Sequence, residues 1–111
     1  MRCPIDVNRQ WRFLNTGDLN PNGVAVEADK KGGKVVFKTP FGAISTMILE
    51  MGHYDKKLGT ITATYSIQEG RQTYSDTVVL SIEQKVKDQA VRLMGFPEGF
   101  HGNQPWRFIR V

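Results

Sequence analysis

The chain has 111 residues, of which 40% are hydrophobic and 23% are charged, and its formal net charge is +4. This size and composition predict a single globular domain over residues 1–111 and argue against a disordered chain, which needs low hydrophobicity and high net charge. Because Cys3 is the only cysteine, an internal disulfide and a cysteine-based metal cluster are excluded.

The chain opens with a short predicted strand and a loop. The tripeptide Trp-Arg-Phe at residues 11–13 recurs at residues 106–108. In an extended strand Trp and Phe of such a tripeptide share one face and Arg takes the other. The echo therefore indicates two edge or neighbouring strands, one at each end of the chain. Residues 15–23 are turn-forming throughout and predict a loop.

The middle of the chain is predicted to be a series of antiparallel strands. Two apolar runs at 24–28 and 34–39 surround a polar, glycine-rich stretch, which is typical of a β-hairpin. Residues 43–51 predict a further strand, and residues 52–59 the loop after it. Residues 60–68 carry the clearest pattern, a strict alternation of apolar or aromatic with hydroxyl side chains, which predicts a half-buried strand.

Two interpretations compete for the segment that follows Gly70. The favoured one is a strand over residues 72–82 and a helix over residues 84–94. The alternative is one long helix over residues 76–94. Both include a helix because the apolar residues of this segment fall on one helical stripe, formed by Val79, Ile82, Val86, Ala90 and Leu93.

The predicted strand over 72–82 forms a hairpin with the strand before it. A two-residue turn at Glu69 and Gly70 would pair Tyr65 with Tyr74, but it would also place Asp76 awkwardly opposite Ala63. The predicted fold class is therefore α+β: a strand-dominated antiparallel sheet of about six or seven strands, open or partly closed into a barrel, with one helix near residues 84–94.

Arginines and aromatic residues interleave at the two ends of the chain, and this is the most suggestive functional pattern. Domains that bind single-stranded nucleic acid combine stacking aromatic rings with a cationic groove. The same pattern is also produced when the aromatic rings pack in the core and the arginines face solvent. The candidate ligand- or nucleic-acid-binding residues are Arg9, Trp11, Arg12, Trp106, Arg107 and Arg110.

Catalytic and metal chemistry find little support. The only histidines are His53 and His101, in separate predicted loops and without metal-ligand spacing. A small enzyme with a site around His53, Asp55 and His101 is the third-ranked hypothesis. No catalytic residue, metal or cofactor is predicted.

The remaining hypotheses concern partners and location. A barrel could enclose a small apolar ligand beside Met47, Met51 and Met94. Apolar loop residues favour a homodimer that covers them, and these are Leu58, Phe96 and Phe100. Without an apolar run of the roughly 20 residues that span a bilayer, or a signal-peptide core, we expect a cytoplasmic protein with no membrane partner. The function predicted by elimination is a non-catalytic binding or interaction protein, with nucleic-acid binding as the alternative.

Overall fold

A computed structural model describes residues 3–15, 22–99 and 104–111. Each strand in them pairs antiparallel with the next along the chain, and the last pairs with the first, so the sheet closes into a barrel. The strands are β1 (Trp11–Asn15), β2 (Val24–Lys31), β3 (Lys34–Phe41), β4 (Ser45–Asp55), β5 (Thr60–Glu69), β6 (Gln72–Val86), β7 (Gln89–Gly95) and β8 (Trp106–Arg110). The predicted antiparallel, strand-dominated architecture is confirmed. The described residues contain eight strands, more than the six or seven expected.

Alternation along each strand separates the packed interior of the barrel from its outer surface. On β5 the inward side chains are Ile61, Ala63, Tyr65 and Ile67, all at most 3% exposed. The outward side chains are hydroxyl residues, and Ser66 Oγ lies 2.9 Å from Ser75 Oγ on β6. Burial of the inward side chains provides the main driving force for folding, because it removes apolar surface from water.

The predicted helix over residues 84–94 is wrong, and so is the longer alternative over 76–94. This segment is a β-hairpin in which β6 runs to Val86 and β7 begins at Gln89. Lys87 and Asp88 connect the two strands with φ of 52° and 65°, the left-handed conformation that a type I′ turn requires. The α+β class is therefore wrong for the described residues, where strands are the only regular structure.

Two register shifts explain why the hairpin resembled a helix in sequence. The register of β6 against β7 shifts between Ile82 and Gln84 and again between Gln84 and Lys85, and shifts of this kind, as in a β-bulge, change the spacing of inward-facing residues. Ala90 and Leu93 are both fully buried although they are three residues apart. By contrast, Val79 and Val86, which completed the apparent helical stripe, are 42% and 45% exposed.

No helix in the described residues has the length and apolar character needed to cross a membrane.

The β5–β6 hairpin turns one residue later than expected. Glu69 pairs with Gln72 across Gly70 and Arg71, so Tyr65 lies opposite Asp76 rather than Tyr74. A shift of two positions between partners keeps every side chain on its predicted face. Asp76 therefore stays on the inner face of the barrel, where it lies opposite Tyr65 instead of Ala63.

One end of the barrel is plugged by the segment that precedes β1. Ile5 is 4% exposed and belongs to the core cluster. The amide of Ala90 donates to Pro4 O at 2.7 Å, and Trp11 Nε1 donates to Asp6 O at 3.1 Å. The segment is therefore held against this end of the barrel by apolar contact and by hydrogen bonds to its carbonyl groups. The opposite end, where β3 and β5 end and β4 and β6 begin, holds the candidate site.

Candidate functional site: a cup at one end of the barrel

A cavity of about 850 Å³ lies at this opposite end. We call it the cup and define it by its lining. Its apolar and aromatic lining comes from Phe41, Ile44, Tyr65, Ile67 and Tyr74. Its polar lining comes from Ser45, Glu69, Thr73, Ser75 and Asp76. Gly42, Ala43 and Gly99 complete the wall.

Aromatic rings packed edge to face support the lining of the cup. The ring of buried Trp106 lies 4.9 Å from that of Tyr65 at 83°, and 5.5 Å from that of Phe41 at 72°. The ring of Phe13 neighbours both, with its centroid 6.0 Å from that of Trp106 and 6.1 Å from that of Phe41. Edge-to-face pairs of this kind stabilise by about 0.5–1.5 kcal/mol beyond the area they bury. The cup therefore rests on a fixed aromatic cluster.

The segment that follows β7 closes one wall of the cup. Pro97 forms an isolated bridge with Val78, and the amide of Glu98 donates to Thr77 O at 2.9 Å. From the opposite side, the Tyr65 hydroxyl donates to Glu98 O. Residues 97–99, which we call the strap, are thus held by hydrogen bonds to both β5 and β6.

Gly99 of the strap lies against the carboxylate of Asp76. Its φ is +69°, and a Cβ at this position would lie 2.2 Å from Asp76 Oδ2. Only glycine allows this close approach without displacing the carboxylate. The other oxygen, Asp76 Oδ1, accepts a hydrogen bond from the amide of Thr77 at 2.8 Å. The strap and the strand together therefore hold the half-buried Asp76 side chain in place.

Burial raises the pKa of Tyr65 above its ordinary value of 10.0, and the negative charges of Asp76 and Glu98 raise that pKa further. The hydroxyl is therefore protonated at neutral pH and acts as a hydrogen-bond donor. Its proton is directed to the strap carbonyl, so its role in the cup is structural.

The tryptophans among the predicted site residues lie in the core. Trp11 and Trp106 are 2% and 1% exposed, so neither offers a free ring face for base stacking. Arg9 and Arg12 are exposed, while Arg107 and Arg110 are half-buried. Arg110 is the register partner of Trp11 at the plugged end, far along β8 from Trp106.

The outer face of the barrel brings two of the predicted arginines close to a third. Arg12 and Arg92 are both register partners of Ile109 and so flank it, and Arg107 lies on the same face of β8. Arg107 Nε is 3.8 Å from Glu83 Oε1, at the limit of an ion pair. Sequence reasoning missed Arg92 because it fell within the predicted helix.

The groups considered for catalysis do not form a site in the described residues. His53 is an exposed residue of β4. Asp55 Oδ1 accepts the amide hydrogens of Lys57 and Leu58, which stabilises the turn after β4. His101 lies outside the described residues, so its convergence with His53 stays a prediction. No group of three or more His, Cys, Asp or Glu side chains in residues 3–15, 22–99 and 104–111 is arranged to hold a metal ion.

Cys3 is a poor candidate nucleophile. Burial raises the pKa of its thiol to about 11, although a backbone hydrogen bond from Ile5 and the charge of Lys30 act in the opposite direction. The thiol is therefore protonated at neutral pH, and the thiolate is the reactive form.

The cup is not the ligand space that the methionines suggested. Met47 and Met51 are fully buried in the core, and Met94 is a half-buried register partner of Arg107. Leu58 and Phe96 are exposed in the single chain, while Phe100 lies outside the described residues. The homodimer stays a prediction. The one sequence signal for the cup was the misfit of Asp76 in the expected hairpin.

The fold and the cup define a class: a closed, eight-stranded, up-and-down antiparallel barrel with a cavity at one end. Comparison of the chain with protein-family models, with curated proteins and with solved structures finds no match.

Proposed function

We propose that this protein is a non-catalytic binding protein whose ligand is a small molecule with an apolar body that enters the cup. The observation that carries the proposal is the cavity of about 850 Å³ with its aromatic and aliphatic lining. Ligand pockets typically measure about 300–1,000 Å³ and combine an apolar wall with a few polar groups. The interior of an eight-stranded barrel is just wide enough for side chains or for one small ligand; here side chains fill it, so the ligand would bind at the open end.

Apolar residues that face solvent at the rim support this proposal. Ile44 is 82% exposed and Tyr74 is 53% exposed, and both line the cup. Exposed apolar side chains gathered around a cavity are typical of ligand sites, whereas single scattered ones are ordinary. A ligand would cover both side chains and gain the free energy of removing them from water.

The walls of the cup are preorganised for binding. Three of the strands that line it, β4, β5 and β6, are joined by long antiparallel ladders. The aromatic cluster beneath and the strap at the side are fixed by ring contacts and hydrogen bonds. Little ordering of the protein is then needed on binding, which reduces the entropic cost.

A fluorescence titration with the neutral apolar probe N-phenyl-1-naphthylamine tests the proposal. The probe has roughly 17 heavy atoms, and a binding free energy of about 0.3–0.4 kcal/mol for each of them corresponds to a Kd on the order of 10–200 µM. Ser45→Phe projects a ring into the cup from the half-buried start of β4 and is expected to weaken binding at least tenfold. Ser81→Phe adds the same ring at an exposed position of β6 and should leave binding unchanged. Absence of saturable binding, or equal effects of the two variants, would refute the proposal.

The outer arginines favour a second candidate, binding of a nucleic-acid backbone. Arg12, Arg92 and Arg107 share one outer face with Ile109 among them, and guanidinium groups suit phosphate recognition. Because the tryptophan rings are buried, this binding would depend on phosphate contacts alone and fall steeply with salt. A labelled mixed-sequence oligonucleotide should bind at about 50 mM salt and release at about 200 mM. Arg12→Ala with Arg92→Ala should abolish binding; failure of wild type to bind at the lower salt would refute this candidate.

A further inference from the structure

The charge of the cup is opposite to the charge of the whole chain. The sequence has 15 Lys and Arg residues against 11 Asp and Glu. Yet the charged side chains among the described lining residues are two acids, Glu69 and Asp76, with no Lys, Arg or His. The charged groups that line the cup are therefore acidic although the protein is basic, and at close range they favour a positively charged ligand over an anion.

Asp76 is the better placed of the two acids. It lies on the inner face of β6 opposite Tyr65 and is half-buried, whereas Glu69 is exposed at the rim. Its orientation is set by the Thr77 amide and by contact with Gly99. A charge pair that is partly shielded from water is stronger than one on the open surface. A cation that enters the cup would thus meet a fixed carboxylate.

The rest of the lining suits the body of an organic cation. Half-buried Phe41 and exposed Tyr74 supply aromatic rings, and ring faces attract ammonium groups. Ile44 and Ile67 supply aliphatic surface. A hydrated metal ion would leave this apolar lining unused, and a neutral apolar molecule would leave Asp76 without a charged partner.

We propose that the cup selects an organic cation, an amine with an apolar body whose ammonium group pairs with Asp76. This inference rests on the proposed function and names its ligand class. The ammonium donates to the carboxylate, while the body packs against Phe41, Ile67 and Tyr74. Charge-assisted hydrogen bonds are about twice as strong as neutral ones, so the charge supplies selectivity in addition to the apolar affinity.

Displacement of N-phenyl-1-naphthylamine by three matched competitors tests the inference. The competitors are 4-phenylbutylamine, 4-phenylbutanol and 5-phenylpentanoate, which share one phenylbutyl body and are cationic, neutral and anionic at pH 7. The amine is expected to displace the probe at about tenfold lower concentration than the alcohol, and the carboxylate is expected to be the weakest.

Three variants assign the preference to a residue. Asp76→Asn keeps the size of the side chain and an acceptor for the Thr77 amide, and it should remove the advantage of the amine over the alcohol. Asp29→Asn changes an exposed acid on β2 that does not line the cup, and it should retain the advantage. Loss of the preference in Glu69→Gln but not in Asp76→Asn would overturn the assignment to Asp76.

The outcomes separate the two proposals. Equal displacement by amine and alcohol, with the neutral probe bound to the wild-type protein, overturns the cation inference and leaves the proposed function standing. Failure of the neutral probe to bind overturns the proposed function, and the inference falls with it. A urea-unfolding midpoint of Asp76→Asn close to that of the wild type shows that the variant is folded.

Discussion

Removing the Tyr65 hydroxyl tests whether the strap is held to the barrel as described. Tyr65→Phe keeps the ring, and with it the edge-to-face contact with Trp106 at 4.9 Å. It removes the hydrogen bond to Glu98 O, leaving that carbonyl without its protein donor. Leaving a buried hydrogen-bonding group without its partner costs about 1–3 kcal/mol of stability. Because Glu98 is an exposed residue, water can replace part of the bond, so we expect the free energy of unfolding to fall by about 1 kcal/mol.

Urea denaturation monitored by tryptophan fluorescence measures this loss, and thermal unfolding should show a decrease in Tm of roughly 3–6 °C. Tyr74→Phe is the matched control because the Tyr74 hydroxyl donates to Gln72 on an exposed part of the same hairpin. Its effect should stay within about 0.5 kcal/mol. A loss in Tyr65→Phe no larger than that in the control would refute the role given to the strap hydrogen bond.

The pH dependence of stability gives an independent measurement on the same residue. Because the pKa of Tyr65 is raised in the folded protein above 10.0, the unfolded chain loses this proton first as pH rises. The contribution of Tyr65 is then complete below pH 10 and is lost above it. The free energy of unfolding should therefore decline less steeply above pH 10 in Tyr65→Phe than in the wild type. Parallel declines would contradict the raised pKa.

Three further predictions test the strand assignment and the thiol. Val78 is fully buried and Val79 is 42% exposed. In urea denaturation, Val78→Ala should lower the free energy of unfolding by about 2–3 kcal/mol and Val79→Ala by under about 0.5 kcal/mol. Similar losses in the two variants would contradict the assignment of β6 as a strand. Asp88→Gly should stabilise the protein by about 0.5 kcal/mol, because the φ of 65° at this position favours glycine. If this segment were a helix, the same substitution would destabilise the protein. Cys3, with a pKa of about 11 instead of 9.0, should react with a disulfide reagent at pH 8 about a hundredfold more slowly than in the urea-unfolded chain, and equal rates would show that the thiol is exposed.

Local pattern was enough to predict most of the strands. The alternation at residues 60–68 identifies β5 and its inner face because a strand turns every second side chain to the same side. The burial of Trp11 and Trp106 agrees with the core-packing alternative, which follows from the same rule. The hairpin of β2 and β3 was signalled by the glycines between two apolar runs.

The predicted helix over residues 84–94 was wrong because the register shifts between β6 and β7 produce the residue spacing of a helix within a strand. Ala90 and Leu93 both face the core only because the register shifts between Ile82 and Lys85. Their spacing of three is also the spacing of a helical face. Pairing with the neighbouring strands decides whether this segment follows the two-residue repeat of a strand or the repeat of a helix. The local sequence pattern does not show that pairing.

Outside residues 84–94, the sequence by itself determined most of the segments that extend, and on β5 it determined which face turns inward, because alternation depends on neighbours two residues apart. Closure of the barrel depends on the pairing of β1 with β8, two segments almost a chain length apart. The cup depends on closure and on a turn one residue later than expected, which together place Asp76, Tyr65 and Gly99 around one space. Contacts between residues so distant in sequence leave no local period, and only the tertiary structure decided them.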